Sequence, residues 1–600
     1  MERIQEWIHK FEEGEGVRIV RLIFIILVLL GLAALYDVRQ YSNFASAEAM
    51  DSAQLARNLA QGKGYTTDFV RPFSIYLVEK QRGERGERGD DLALLKKGHP
   101  DLTNPPVYPL LLAGLMKVLP FDFNIPQGVR SQRSPRYQPE ILIAFFNQAL
   151  FFLAMFLTFR LARRLFDPTV AWITVLVLAG TELLWQFSVS GLSTMLLMVM
   201  FLALSWLLVV MEEAAREGQR GRAWFLGAAL LCGALVALGS LTRYSFGWLI
   251  LPVLLFFGVF FPQRRLSLCL VSLLTFLAVL SPWLIRNHHW SGSPFGTSVY
   301  ALVQDTEQFP ENRLERSLTP DFSAVKFNDC ARKFSLRLGE LLRNDLPKFG
   351  GNWIIAFSMV GLLLPFVRVG LHRLRVFLLG ALAVLVFAQA LGHTQLSADT
   401  PIINSENLLV ILAPIFFVYG VGLFTLIIEH FEFPVPALRH VVNGAFVLAV
   451  SAPLVLRMLP PREHSLVYPP YFPPWIQYFG DYMQEEELVM SDMPWAMAWY
   501  GRRQCVWTTL NVQDKKNEND FYAINDLRKP VQGLYLTTLT MDGRLFSQLL
   551  RGQDWVWGKL AMDGLMVTRQ GLPRGFPLQF SPEGDFVARG HLFLADRPRW

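Results

Sequence analysis

Long apolar runs alternate with polar stretches along this chain, and most of the runs have the length needed to cross a bilayer. A charged, amphipathic start at residues 1–21 leads into LIFIILVLLGLAALY. Further runs lie near 141–159, 170–187, 192–211, 224–241, 246–261, 266–285, 352–367, 376–392, 408–428 and 441–458, which with the first makes eleven. No small-residue cleavage site follows the first run, so it reads as a retained transmembrane helix and not as a removed signal peptide. Residues 38–140 are polar except for Tyr108–Leu119. With only about 12 residues, that piece is too short to span ~30 Å of hydrocarbon, and a helix lying in the interface is predicted. Ahead of it, AEAMDSAQLARNLAQGKGY reads as a short helix from Ala47 that ends at the Gly62-x-Gly64 turn.

After the last run the pattern changes. The stretch PPREHSLVYPPYFPPW is a stiff Pro/aromatic connector at 461–475, suited to the headgroup region. In residues 476–600, ELVMSD, RQCVWTTL and VQGLYLTTL read as strands, with helices at PWAMAWYG and FYAINDL between them. The predicted fold is a polytopic α-helical membrane protein over 1–460 with about eleven transmembrane helices. A small C-terminal extracytoplasmic α/β domain follows over 476–600. No glycine-rich nucleotide fingerprint accompanies that domain, so a non-catalytic or acceptor-handling role is expected of it.

Loop charge sets the orientation. With the N-terminus cytoplasmic, the short inner loops hold Arg160, Arg163 and Arg164, then Arg216, Arg220 and Arg222, Arg264 and Arg265, Arg368, Arg373 and Arg375, and Arg439. The short outer turns near 188–191 and 242–245 carry only Arg243. The first outer loop (38–140), the second (286–351) and the C-terminal domain then share one side. Composition agrees, with 52% hydrophobic and 18% charged residues and 47 Phe excluding an ordinary soluble domain. A net charge of +6 over 600 residues is explained by this loop bias, and no basic stripe with interleaved aromatics points to nucleic acid. Cys330 and Cys505 fall on the outer side, where a disulfide or two unpaired thiols fit equally.

Candidate chemistry concentrates in the outer segments. Glu48 and Asp51, three residues apart, share one face of the first-loop helix. Helix capping by Asp51-Ser52 accounts for them as well as catalysis does. Arg243 and Arg286 sit at outer ends of spans, where a lipid phosphate would lie and where headgroup snorkelling is the bland alternative. GERGERGDD (83–91) reads as a solvated loop, His288-His289 lacks partners at metal-ligand spacing, and His393 reads as a structural histidine.

An ordered set of motifs gives these residues a context. It comprises the carboxylate helix ending in Ala-Arg-Asn-Leu and Gly-x-Gly-Tyr, then Asn104-Pro105-Pro106-Val107-Tyr108-Pro109, Asn147, Leu241-Thr242-Arg243, and Pro282-Trp283-Leu284-Ile285-Arg286-Asn287. Over residues 20–460 this set resembles the GT-C superfamily, in its protein-mannosyltransferase and aminoarabinose-transferase-like branch. The resemblance implies a membrane glycosyltransferase that moves a sugar from a polyprenyl-phosphate donor to a lipid, glycan or protein acceptor at the outer face of the cytoplasmic membrane. It implies Asp51 or Glu48 as catalytic base, and Arg243, Arg286, Asn104 and Tyr108 toward the donor phosphate. The family spacing points to Glu48, while the shorter side chain of Asp51 is the more rigidly placed and is preferred on that ground. A divalent metal, if one is used, would sit on the same two carboxylates. Departures include Asn104 where a Lys or His often precedes Pro-Pro, Ser193-Thr194 in place of an acidic residue, and Glu406-Asn407 ahead of Pro414 in place of an Arg-x-x-x-Pro motif. A transporter or flippase of lipid-linked glycans is the alternative, disfavoured by nearly charge-free spans and the lack of an internal repeat.

Overall fold

A computed structural model describes residues 15–86, 98–125, 136–218, 220–348, 352–364, 368–392, 403–459, 468, 470–509, 524, 530–541, 578, 580–582 and 591–600. Helix α1 (Glu15–Gln40) leads into the first loop, which holds α2 (Ala47–Ala60), β1 (Thr66–Thr67), β2 (Phe69–Val70), α3 (Pro72–Glu84), β3 (His99–Pro100) and α4 (Val107–Val118). The bundle continues through α5 (Gln138–Leu165), α6 (Pro168–Ala179), α7 (Glu182–Val189), α8 (Thr194–Glu217), α9 (Arg222–Ser240), α10 (Ile250–Phe260) and α11 (Arg265–Ser291). After α12 (Phe327–Glu340) in the second loop come α13 (Asn352–Leu363), α14 (Val369–Leu391), α15 (Ala413–Glu429) and α16 (Pro436–Met458).

Among the described residues eight helices are long and apolar enough to cross a membrane. The pair α6–α7 and the shorter apolar helices Tyr244–Phe260 and Ile354–Leu363 fill the remaining predicted positions. The run predicted at 170–187 as one helix is bent by 59° between α6 and α7. At the break a Cβ on Gly180 would lie 1.8 Å from Ser451 Oγ of α16, so only glycine lets the chain pass there. The segment 408–429 is the centre of the bundle, 89% of its apolar window being buried, whereas α1 at 11% stands at the periphery, where only lipid can cover Phe24 and Leu27. Helix α4 covers the predicted short apolar piece as a helix with one buried face: Tyr108, Leu112 and Ala113 are buried while Leu110, Leu111 and Val118 are exposed.

The C-terminal region adds α17 (Pro473–Asp481), β4 (Leu488–Ser491), α18 (Pro494–Trp499), β5 (Cys505–Trp507), β6 (Val531–Leu536) and β7 (Leu592–Ala595). The three predicted strands and the helix at PWAMAW are therefore present. The sheet order is β2-β5-β4-β6-β7, with β7 antiparallel to β6 and the other pairs parallel. Its edge strand β2 comes from the first loop, with Phe69 opposite Cys505 and Val70 opposite Val506. All four cysteines are free, so Cys330 and Cys505 are not joined, and Cys505 is buried inside the sheet. The predicted helix FYAINDL (apart from Ile524), residues 87–91 of the charged loop and His393 lie outside the described residues.

Candidate active site

Helix α2 starts at Ala47 after an extended Ser46, so Asp51 lies a full turn inside it and does not cap it. Ser46 Oγ donates to Glu48 Oε2 at 2.6 Å and holds that carboxylate in the first turn, where the peptide dipoles favour negative charge. The helix ends where Gly62 and Gly64 take φ of 77° and 76°, values open to glycine, and the chain doubles back. The returning strand is tied to α2 by Gln54, whose Nε2 donates to Thr67 Oγ1 at 2.8 Å and whose Oε1 accepts from the Asp68 amide at 3.0 Å.

The two carboxylates have different surroundings. Glu48 is half-buried, whereas Asp51 is 1% exposed. Asp51 Oδ2 accepts from Arg71 Nη2 at 2.7 Å and from Asn104 Nδ2 at 2.9 Å, and its Oδ1 accepts from Gln54 Nε2 at 3.0 Å. Arg71 is the hub. Its Nε donates to Glu315 Oε2 at 2.8 Å, its Nη1 lies 3.9 Å from Asp101 Oδ2, and its guanidinium lies over the Phe69 ring at 4.0 Å. Burial alone would lower its pKa, but Asp51, Glu315 and Asp101 outweigh burial and hold it above the ordinary value.

One guanidinium thus balances three buried carboxylates, and the acids show the excess charge. Asp101 is pushed up to about 6 by burial and by Asp51, and Glu315 is raised by burial against the pull of Arg71. Adjacent His99 is held down to about 3 by burial and by Arg286 and Arg71, so it is a neutral imidazole, 2.9 Å from Ser74 Oγ. Asp101 ionises near 3.8 when unfolded. Between pH 3.8 and about 6 the folded chain therefore holds a proton that the unfolded chain has released, and stability falls as pH rises through that window. Asp101→Asn should flatten this slope in thermal unfolding of the detergent-solubilised protein.

The remaining motifs converge on the same place. Asp101 Oδ1 accepts from the amides of Thr103 and Asn104, folding the chain into the Pro-Pro turn. The Val107 amide then donates to Leu241 O at 2.9 Å and the Thr297 amide to Leu102 O at 3.1 Å. Arg286 donates to the carbonyls of Asp101 and Tyr65 and lies over the rings of Trp283 and Tyr65 at 4.8 and 5.4 Å. Arg243 donates to the carbonyls of Ser405 and Glu406 at 2.8 and 3.0 Å. Burial lowers its pKa, while Glu406 and Glu48 raise it, which puts Glu48 within its electrostatic reach. Among the described residues no carboxylate is within ion-pair distance of Arg243 or Arg286; their hydrogen-bond partners are backbone carbonyls and, for Arg286, also Asn287 Oδ1 at 2.9 Å.

Of the residues singled out from sequence, Glu48, Asp51, Asn104, Arg243 and Arg286 are brought together, but Asp51 and Asn104 are already engaged, as is Tyr108. Asn104 Nδ2 is shared between Asp51 and Asp101, and the Tyr108 hydroxyl donates to Gly191 O at 2.8 Å and accepts from Asn147 Nδ2 at 3.1 Å. Tyr108 therefore pins α4 to α5 and to the outer turn after α7. Sequence reasoning missed Arg71, Asp101 and Glu315. Asp-x-x-Asn just before Pro-Pro was the one available signal, as an Asx turn. Asp51 is a poor metal ligand, because N–H donors, one of them cationic, take both its oxygens. Among the described residues no group of three or more His, Cys, Asp or Glu is placed to hold a metal.

The family model for dolichyl-phosphate-mannose-protein mannosyltransferases matches residues 138–285, from the start of α5 into α11, ending one residue before Arg286. Among solved structures, the chain is similar to ArnT from Cupriavidus metallidurans bound to undecaprenyl phosphate, at 10% identity and TM-score 0.51, over 96% of this chain and 98% of that one. It is also similar to the oligosaccharyltransferase of Archaeoglobus fulgidus in its apo form, at 11% identity and TM-score 0.52, over 88% of this chain and 71% of that one. The same oligosaccharyltransferase, AglB, in complex with an inhibitory peptide and a dolichol-phosphate, matches at 10% identity and TM-score 0.50, over 89% and 72%. No curated protein sequence matches the chain. The fold is that of the GT-C membrane glycosyltransferases, with apolar helices, a long first loop that here carries the carboxylates, and a small C-terminal sheet.

Proposed function

We propose that this protein is an integral-membrane glycosyltransferase that moves a sugar from a polyprenyl-phosphate donor to an acceptor hydroxyl or amine by a single inverting displacement. The site faces the outer side of the cytoplasmic membrane, with the N-terminus cytoplasmic and both large loops and the C-terminal domain outside. One observation carries the reading: among the described residues, Arg71 is saturated by three carboxylates, while Arg243 and Arg286 donate to carbonyl oxygens and have no carboxylate within ion-pair distance. A buried cation whose hydrogen-bond partners are all neutral oxygens suits an anionic ligand. The lipid phosphates in the similar ArnT and AglB structures give that anion its class.

In this scheme Arg243 and Arg286 hold the donor phosphate, and Glu48 takes the acceptor proton. The acceptor oxygen or nitrogen forms its bond to the anomeric carbon as the carbon–phosphate-oxygen bond breaks. The leaving polyprenyl phosphate keeps the electron pair, stabilised by the two guanidiniums, and the proton passes to Glu48. One base suffices, because the leaving group needs no protonation. Glu48 replaces the preferred Asp51 in this role because Asp51 is 1% exposed and both its oxygens already accept hydrogen bonds, one of them from the Arg71 guanidinium. Asp51, Asn104, Asp101 and Glu315 serve instead to hold Arg71 and the wall of the site.

The test is transfer of radiolabelled sugar from a lipid extract, using the purified chain in lipid nanodiscs. Label should move from the lipid-linked to an acceptor fraction, and polyprenyl phosphate should be released in equal amount. Label retained on the lipid with every polyprenyl-linked sugar supplied would overturn the reading.

A further inference from the structure

Helix α2 carries Glu48 at its start, and one short piece of the C-terminal domain holds the helix at both ends. At the far end Arg57, 3% exposed, donates through Nη1 to the carbonyl of Trp499 at 2.8 Å and through Nη2 to that of Ala498 at 2.7 Å. These are last-turn carbonyls of α18, which need partners from outside their helix. Arg57 also pairs with Asp68 at 3.0 Å. At the near end the Trp499 indole N–H donates to Glu140 Oε1 at 2.8 Å, and Glu140 Oε2 accepts from the Phe44 amide, just ahead of α2, at 2.8 Å. Glu140 is fully buried at the top of α5. The strand leading into Arg71 is fixed from the same direction: β2 pairs with β5, and the Cys505 amide donates to Asp68 O at 2.7 Å.

We propose that Trp499, acting with Arg57 and Glu140, is a positioning residue for the transfer site, so that the C-terminal domain is a brace for α2 and not an independent module. The activity side of this inference rests on the proposed transfer reaction; the mechanical side does not. A hydrogen-bonded link between residues some four hundred positions apart adds an outside support to a helix that the first loop holds through Gln54, Asn58 and the bonds of Arg71 and Asn104 to Asp51. Trp499 serves both ends at once, with its carbonyl on Arg57 and its indole on Glu140. Loosening it shifts Glu48 relative to Arg243, and a misplacement of about 1 Å is enough to lower turnover on the order of 10²-fold.

The experiment compares the full chain with Trp499→Phe and Arg57→Gln in nanodiscs, by hydrogen exchange and by sugar transfer. Trp499→Phe removes the indole donor and keeps most of the ring, and it keeps the test alive if Arg57→Gln does not accumulate. Exchange over residues 44–71 should quicken about tenfold in either variant, the scale of one buried hydrogen bond lost, with the spans unchanged. Transfer should fall in kcat, counted per folded molecule from the unfolding curve of the same sample, while KM for the donor stays put; with the count made that way, loss of folded protein does not lower kcat. Unchanged exchange at 44–71, or full kcat despite quickened exchange, overturns the brace. If the unmodified chain transfers nothing yet exchange responds as expected, the reaction assignment fails and the brace stands.

Discussion

Glu48→Gln leaves a chain that inserts, folds and melts like the original but transfers sugar more slowly by about 10²- to 10⁴-fold, the range for losing a positioned general base. The substitution keeps an oxygen to accept from Ser46 Oγ, so the first turn of α2 is not disturbed. What it removes is the proton acceptor, together with the negative charge that raises the Arg243 pKa against burial. Asp51→Asn is the informative contrast. Its carboxylate is a counter-charge of Arg71 at 2.7 Å, so its loss shows first as a lower melting temperature. The measurement is single-turnover transfer beside thermal unfolding for both variants. Loss of turnover in Asp51→Asn with an unchanged melting point, beside full turnover in Glu48→Gln, reverses the assignment.

Arg71→Met should be the most damaging single change to stability. It leaves Asp51, Asp101 and Glu315 buried without their shared cation, and breaking a buried pair in this way costs about 3–5 kcal/mol. The penalty depends on pH with a definite sign. Asp101 and Glu315 already have raised pKa values with the guanidinium present, and removing it raises them further. As pH falls the acids take up protons and the repulsion is relieved, so the gap in stability between variant and original narrows toward low pH. Arg71→Lys recovers only part of the loss, since a point ammonium cannot reach Asp51, Glu315 and Asp101 as a planar fork does. Thermal unfolding of the three chains from pH 4 to 8 checks this, and a constant gap across that range would refute Arg71 as the common counter-ion.

The membrane part of this fold was legible because lipid leaves a strong mark on sequence. Apolar runs locate the helices, and the 12-residue α4 is marked as a non-spanning helix by being too short. The bend between α6 and α7 was hidden because an apolar run is silent about the close approach of Ser451 to Gly180. In the tail, β4, α18, β5 and β6 follow ordinary strand and helix patterning, but β2 is two residues long and pairs with a strand more than four hundred positions away. No local pattern marks such a strand.

The site was half visible for a similar reason. Glu48, Asp51 and the Pro-Pro turn lie in motifs whose spacing is read directly, and Arg243 and Arg286 follow from their span ends. Arg71 looked like any residue before a proline, because its meaning lies in carboxylates from α2, from the turn before Asn104 and from the second loop at Glu315. Choosing between Glu48 and Asp51 likewise needed the partners of each. The hydrogen bonds that make Asp51 rigid are the ground on which the proposed reaction assigns the base to Glu48 instead.

The central claim is that Glu48 faces a lipid phosphate held by Arg243 and Arg286. A structure of the chain with polyprenyl phosphate bound in nanodiscs tests it most directly. The phosphate should lie within hydrogen-bond distance of one or both guanidiniums, with the Glu48 carboxylate turned toward the lipid phosphate and the Asp51–Arg71 pair intact. A phosphate seated away from both arginines, or Asp51 released from Arg71 and pointing at the lipid while Glu48 turns away, would contradict it.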